Sequence, residues 1–300
     1  MGIIKDTVLL EKALRADFLK AYNNGEDPSE IMPFLMKTQS KAKSEKYGWL
    51  GQVPNLSEWK DERQLRGLLD FDYTIENKSY EATIQVDRDE LEDDQLGAIK
   101  VRIADLARKA RTSHPMKRFY DLLEAGTTDL CYDGQAFFSN SHSEGSSGTQ
   151  DNLYSGTGVT IDKIKADFIG ARAAMRGFKD DQGEPTNEGE MKLYAIIPQG
   201  LEGIFDELLM ASDISSTTNT LKGAAKKVVS SRLSDANDWY LINGAGAIKP
   251  FVWQMRRQPT FESLEKGEAA FMRKQIPFGI DTRDGFGYGL WQKAVKVVNS

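Results

Sequence analysis

The stretch 69-LDFDYTIENKSYEATIQVDRDELEDDQLGAIKVRIADLARKA-110 changes its hydrophobic period part-way along, and that change decides the reading of the fold. Leu69, Phe71, Tyr73 and Ile75 alternate with polar residues, and after 76-ENKS-79 the alternation resumes at Tyr80, Ala82, Ile84 and Val86. A period of two belongs to a strand with one buried face. Placing Asn77-Lys78 at a turn pairs Ile75 with Tyr80, Tyr73 with Ala82, Phe71 with Ile84 and Leu69 with Val86. Every apolar side chain then lands on one face of a predicted β-hairpin. From Asp89 the period becomes helical, with Leu91, Leu96, Ile99, Ile103, Leu106 and Ala110 in one stripe. Asp89, Glu90, Glu92, Asp93 and Asp94 crowd its start and Arg102, Arg108, Lys109 and Arg111 its end, the charge order that the helix dipole favours. Pro115 is expected to kink or interrupt this long helix after Ser113, and helical spacing resumes through Met116, Phe119, Tyr120 and Leu123 until Gly126.

Upstream, Val8, Leu9, Ala13, Leu14, Phe18 and Leu19 mark an amphipathic helix over 3–22, ended by 23-NNGEDP-28. After a short apolar piece, 30-EIMPFLMK-37, the polar run 37-KTQSKAKSEKYG-48 reads as extended or mobile. The excursion 47-YGWLGQVPNLSEWKDERQLRG-67 holds no period, yet carries Trp49 and Trp59. Tryptophan is costly to leave in water, so these two are expected against the parent domain or a partner subunit. Downstream, Ile161, Ile164, Phe168, Ala171 and Met175 predict a helix, 191-MKLYAIIPQG-200 a buried strand and 201-LEGIFDELLMA-211 a helix. The segments 226-KKVVSSRL-233 and 239-WYLING-244 read as strands, and 247–298 as mostly strand with turns at its glycines.

Composition narrows the function classes. Three hundred residues with 40% hydrophobic content can bury a real core. A formal charge of −6 argues against a protein whose main business is gripping nucleic acid. No apolar run of about 20 residues is present for a membrane span, and the start does not read as a signal peptide. A single cysteine permits no intrachain disulfide, which suits a protein made in a reducing cytoplasm.

That cysteine lies in 131-CYDGQAFFSNSHSEGSSGTQDNLYSG-156, beside Asp133, Ser139, Ser141 and His142, the residue types of a nucleophile-and-base arrangement. The competing reading makes Phe137 and Phe138 apolar anchors and the Ser/Gly run a surface loop too flexible to support catalysis. His114, Cys131 and His142 supply at most three nitrogen or sulfur ligands, short of a structural zinc site without a carboxylate. The acidic run 89-DELEDD-94 is explained by its place at a helix start, and 243-NGAG-246 and 285-GFGYG-289 by turns between strands.

The ordered set YGWLGQVPNLSEWKDER, FDYTIENKSYEATIQVDRDELEDDQLG, YDGQAFFSNSH, LYAIIPQGLEGIFDELLMA, NTLKGAAKKVVSSRL, WYLINGAGAIKPFVWQMRRQP and FGIDTRDGFGYGLWQKA runs from Tyr47 to Ala294. It resembles the major head subunit of Mu-like phages and prophages. The resemblance implies an α+β Hong Kong 97-type capsid fold: N-terminal arm at 1–43, extended loop at 44–88, peripheral domain with spine helix at 89–189, axial domain at 190–260, and C-terminal strands returning to the peripheral domain at 261–300. It implies a structural, non-enzymatic protein without catalytic, cofactor or metal residues, assembling through pentamers and hexamers into an icosahedral head around double-stranded DNA.

Trp49, Trp59, Glu62, Arg63, Tyr73 and Tyr80 are then expected at contacts between subunits. The expected partners are further copies of the chain, a separate scaffold protein, a portal, packaged DNA held without sequence-specific contacts, and a decoration protein as a further candidate. No membrane is involved, and synthesis would occur in the bacterial host cytoplasm before incorporation in the virion. Lys78 has no matching asparagine for the fold's known Lys–Asn cross-link, so a noncovalent shell is expected. The alternatives are an encapsulin-like nanocompartment and a hydrolase using Cys131 and His142.

Overall fold

In the computed structural model, which describes residues 7–48, 73–87, 96–189, 191–214, 217–263 and 275–299, two main sheets and five α-helices enclose two hydrophobic cores. The helices are α1 (Thr7–Asn24), α2 (Leu96–Arg108), α3 (His114–Ala125), α4 (Ile161–Gly177) and α5 (Glu202–Met210). The strands in chain order are β1 (Leu35–Gln39), β2 (Ser44–Lys46), β3 (Thr74–Glu76), β4 (Lys78–Asp87), β5 (His142–Ser143), β6 (Thr149–Gln150), β7 (Leu153–Ser155), β8 (Leu193–Pro198), β9 (Asp213–Ile214), β10 (Thr217–Thr218), β11 (Lys226–Ser230), β12 (Trp239–Asn243), β13 (Phe251–Ser263), β14 (Gln275–Tyr288) and β15 (Ala294–Val298).

One sheet has the order β1-β13-β14-β4 and the other β11-β8-β12-β15-β7. In the first, β1 runs parallel to β13 while the β13–β14 and β14–β4 pairs are antiparallel. Its far half packs under α1 and α2. Leu14, Phe18 and Tyr22, spaced four apart on α1, meet Ile99, Ile103 and Leu106 of α2 above Val86, Phe261, Ile276, Phe278 and Ile280. Burying each such side chain stabilises the fold by about 1.5–3 kcal/mol. The stripe on α1 sits slightly rotated from the expected one, since Ala13 and Leu19 are exposed.

The five-stranded sheet holds the larger core with α4 and α5. Ile164, Phe168, Ala171 and Met175 of α4 are buried, as their spacing predicts, and Phe168 stacks on Trp239 of β12 with ring centroids 6.2 Å apart. The long strand β13 joins the two cores, with Phe251, Val252, Trp253 and Met255 in the larger and Phe261 in the smaller. A boundary at 260 therefore falls inside one strand, and β15, from the 261–300 segment, pairs with β12 rather than with the four-stranded sheet.

Three expectations need correction. Ile75 does not pair with Tyr80: Ile75 sits opposite Glu45 of β2, and Tyr80 opposite Thr282 of β14. Asn77 is no turn but a buried tie. Its Nδ2 donates to Ser40 Oγ at 2.7 Å and Ala42 O at 3.0 Å, and its Oδ1 accepts from Gln254 Nε2 at 2.9 Å. The chain thus runs on from β3 into β4 instead of reversing. Leu69 and Phe71 lie outside the described residues.

Next, the α-helix is interrupted just before Pro115, as expected, but by a π-helical turn and not by a break in the helical run. The turn at Lys109–Ser113 widens the helix, which accommodates the proline ring and the N–H it lacks, and α3 starts directly at His114. Finally, Gly279, Gly285 and Gly287 are not turns but lie within β14. A Cβ at Gly285 would meet Glu76 O at 2.7 Å, and one at Gly287 would overlap the Ile75 side chain. These glycines let β3 cross closely over β14.

Candidate functional site

Residues 131–152 fold back on themselves through short local contacts. Cys131 N–H donates to Gln135 O at 2.8 Å, Gly134 N–H to Cys131 O at 3.1 Å, and Gly134 takes φ +80, a left-handed conformation natural to glycine. This tight loop aims Asp133 inward. Its Oδ1 accepts from Gln135 N–H and from the Cys131 thiol, both at 3.0 Å, while Oδ2 lies 2.6 Å from His142 Nδ1. The next turn supplies β5 and β6, which carry His142 beneath Trp291, the two rings nearly parallel with centroids 4.0 Å apart.

Behind His142, Asn152 Oδ1 lies 3.2 Å from His142 Nε2 and accepts from Ser139 N–H at 2.8 Å. Its amide nitrogen donates to Phe137 O at 2.8 Å and Ala294 O at 3.2 Å, tying this loop to the end strand of the chain. Glu144 Oε1 receives Trp291 Nε1 at 2.6 Å, Tyr132 Oη at 2.8 Å and Gln292 Nε2 at 3.2 Å. The Ser/Gly run lies at the surface, as expected, but His142, Glu144 and Asn152 are all buried, so it is not a loose loop. It is pinned by a buried polar network, in which each group must find a partner because leaving one unmade is expensive. Phe137 and Phe138 are fully buried anchors, with Phe137 stacked 4.6 Å from Tyr288.

The network's electrostatics fit a structural tie better than a nucleophile. Burial first, and then the neighbouring Asp133 carboxylate, push the Cys131 thiol well above its ordinary range, so it stays a protonated donor. Burial likewise raises Glu144. Burial acts to raise Asp133 too, but the hydrogen bonds from His142 and Cys131 outweigh it and hold the carboxyl below the usual carboxylate range. Ser139 and Ser141 bond to each other at 3.0 Å, and among the described residues neither hydroxyl reaches His142. Cys131, Asp133 and His142 do bring three ligand-type atoms within 4.8 Å of one another, each already spent on the hydrogen bonds above.

The expected contact residues separate. Trp49, Trp59, Glu62 and Arg63 lie outside the described residues. Tyr73 turns inward: its hydroxyl accepts Tyr288 N–H at 2.8 Å, and its carbonyl accepts Tyr47 N–H at 2.8 Å. Tyr80 is half-buried beside His114, ring centroids 4.7 Å apart, with the Arg118 guanidinium over its face at 5.2 Å. His114 itself opens α3 and reaches Asp284 Oδ2 at 3.0 Å, which Trp253 Nε1 also meets at 3.1 Å. Sequence reasoning missed Asn77, Asn152 and Trp291, the residues that tie distant segments together. Nothing in a linear pattern marks a polar side chain whose partners are 100 residues or more away.

Comparison with known proteins gives one consistent picture. The family model for the Mu-like prophage major head subunit gpT matches residues 8–163 and 230–300. The chain is 28% identical to the major capsid protein of Escherichia phage Mu over 290 residues, covering 95% of this chain and 72% of that one. It is 26% identical to the Mu-like prophage FluMu major head subunit of Haemophilus influenzae over 289 residues, with the same coverage of 95% and 72%. Among solved structures, a subunit of the procapsid of bacteriophage JBD30 superposes with a TM-score of 0.60 at 25% identity, covering 97% of this chain and 76% of that chain.

Proposed function

Since this chain belongs to the Mu-like prophage major head subunit family and has the Hong Kong 97-type capsid fold, we propose that its copies form pentamers and hexamers that tile an icosahedral phage head around double-stranded DNA. The chain is a phage capsid protein, and its place is the capsid of the virion. The observation that carries the reading further is the likeness to a procapsid subunit across 97% of the chain. A shell closes when one surface of each subunit meets a different surface of the next, first in rings and then between rings.

Within that shell we take the four-stranded sheet with α1 and α2 as the peripheral layer and the five-stranded sheet with α4 and α5 as the axial layer, which moves β7 and α4 from the 89–189 segment, expected to be peripheral, to the axial side. The β2–β3 pair falls within the segment 44–88 proposed as the extended loop. Trp49, Trp59, Glu62 and Arg63 on that loop contact the neighbouring subunit, Tyr80 offers a half-buried aromatic face, and Tyr73 braces the base of the loop from within. The contacts are noncovalent. A separate scaffold protein guides closure, a portal occupies one vertex, and the DNA is held without sequence-specific contacts, in keeping with a net charge of −6. The chain is made in the host cytoplasm and carries no enzymatic activity. The buried, protonated Cys131 thiol is a poor nucleophile, which disfavours the hydrolase reading.

Negative-stain electron microscopy with sedimentation, on the chain alone and with a scaffold protein, tests the proposal. Closed shells, tubes or rings of five and six are expected. A strictly monomeric species in both samples at high concentration would overturn it.

A further inference from the structure

A β-bulge in the four-stranded sheet gathers three arginines that the fold itself does not need together. The pairing of β13 with β14 steps from Met255 opposite Asp284 to Arg257 opposite Arg283, so two residues of β13 face one of β14. In a regular strand Arg256 and Arg257 would point to opposite faces. At the bulge both line, together with Arg283, one cavity of about 180 Å³. Like charges placed directly across a strand pair destabilise it.

The neighbouring carboxylates compensate only in part. Arg257 pairs with Asp281, whose other oxygen Thr260 engages. Glu45 already accepts Ser40 Oγ at 2.9 Å and the N–H groups of Lys41 and Ala42 at 2.7 and 3.1 Å, and it feels Arg256 only through space. Among the described residues the buried Arg283 Nε has no hydrogen-bond partner and no ion pair reaches Arg256 or Arg283. Several forked donors therefore face a cavity that the described residues supply with too little negative charge to meet them. Planar guanidinium groups suit the tetrahedral oxygens of a phosphate, which accepts from several of them at once.

We propose that Arg256, Arg257 and Arg283 form a binding site for a phosphate group. The site rests on the bulge and the unpaired donors, and does not depend on the assembly reading. The phosphate comes either as a free ion or from a nucleic-acid backbone, and two arms of one experiment separate these sources. Inorganic phosphate is titrated calorimetrically into the full chain at fixed ionic strength, balanced with chloride, and a short DNA duplex is titrated in parallel.

Saturable phosphate binding is expected, weakened about tenfold or more in Arg283→Gln. Arg256→Gln, at an exposed position that does not endanger folding, is expected to weaken it in the same direction, and Arg283→Lys to recover it only partly because the fork is lost. Loss of duplex affinity in the same variants would assign the phosphate to a nucleic acid. An unchanged duplex affinity would assign it to the free ion. Phosphate heats identical in the wild type and Arg256→Gln would overturn the site. So would an absence of phosphate binding combined with failure of the arginine variants to form shells, which would make the triad a contact for a carboxylate of another copy.

Discussion

Replacing His142 by Ala would leave the Asp133 carboxylate buried with one hydrogen-bond partner fewer, and Trp291 without the ring stacked on it. The variant is expected to lose about 2–3 kcal/mol of subunit stability. Chemical denaturation reads that loss, and an unchanged midpoint would show that the network contributes nothing. Glu144 makes a pH-dependent counterpart. Because burial raises its folded pKa above an unfolded value of about 4.3, its contribution is full below that pH and is lost as pH rises through the folded value. Glu144→Gln, a neutral analogue of the protonated acid, should hold a flatter denaturation midpoint than the wild type as pH rises above that unfolded value. An equally steep decline in the variant would remove Glu144 as its source. At this scale the sequence is least legible. Residue types placed Cys131, Asp133 and His142 together in a plausible group, yet the same Ser/Gly run that suggests mobility is held rigid by Asn152 and Trp291, whose carbonyl and ring partners lie across the fold.

Elements follow their periods wherever one face alone is buried. α4, α5, β8 and β12 lie where their spacing predicts them, because a helix stripe or a short apolar run has a single way to meet the core. The period also found β4, but not its partner. Alternation says which face is buried and leaves open which strand lies alongside, so the local hairpin looked as good as the pairing with β14, some 200 residues on. The glycines of β14 misled for a related reason: a glycine read as a turn can instead be the gap through which another segment passes. Gly287→Ala tests that role. Its methyl group would press on Ile75 and on the Tyr73 hydroxyl, at an expected cost of about 1–3 kcal/mol read by thermal unfolding. A stability equal to that of the wild type would mean that β3 can move aside freely.

For the whole molecule, the ordered similarity of many short segments made the fold legible even though no single motif was specific. A capsid subunit is recognised by its sequence of pieces because its function is spread over surfaces and not concentrated in a pocket. Trp49 and Trp59, on the proposed extended loop, carry the corresponding prediction. Trp49→Ala and Trp59→Ala are expected to leave the subunit's own melting temperature nearly unchanged while shifting assembly from closed shells toward free rings in sedimentation and micrographs. Shells formed at wild-type yield by the double variant would take those side chains out of the interface.

The parallel pairing of β1 with β13 and the pairing of β4 with β14 also set a timetable. Neither early strand has its neighbour in that sheet until the ribosome has added roughly 200 further residues, which at about 5–20 residues per second takes some 10–40 seconds. Until then the four-stranded sheet does not exist, and α1 and α2 have no floor to lie on. A nascent chain thus cannot yet offer a neighbour the face built on that sheet. Any contact that needs the four-stranded sheet therefore has to wait until β13 and β14 have been made.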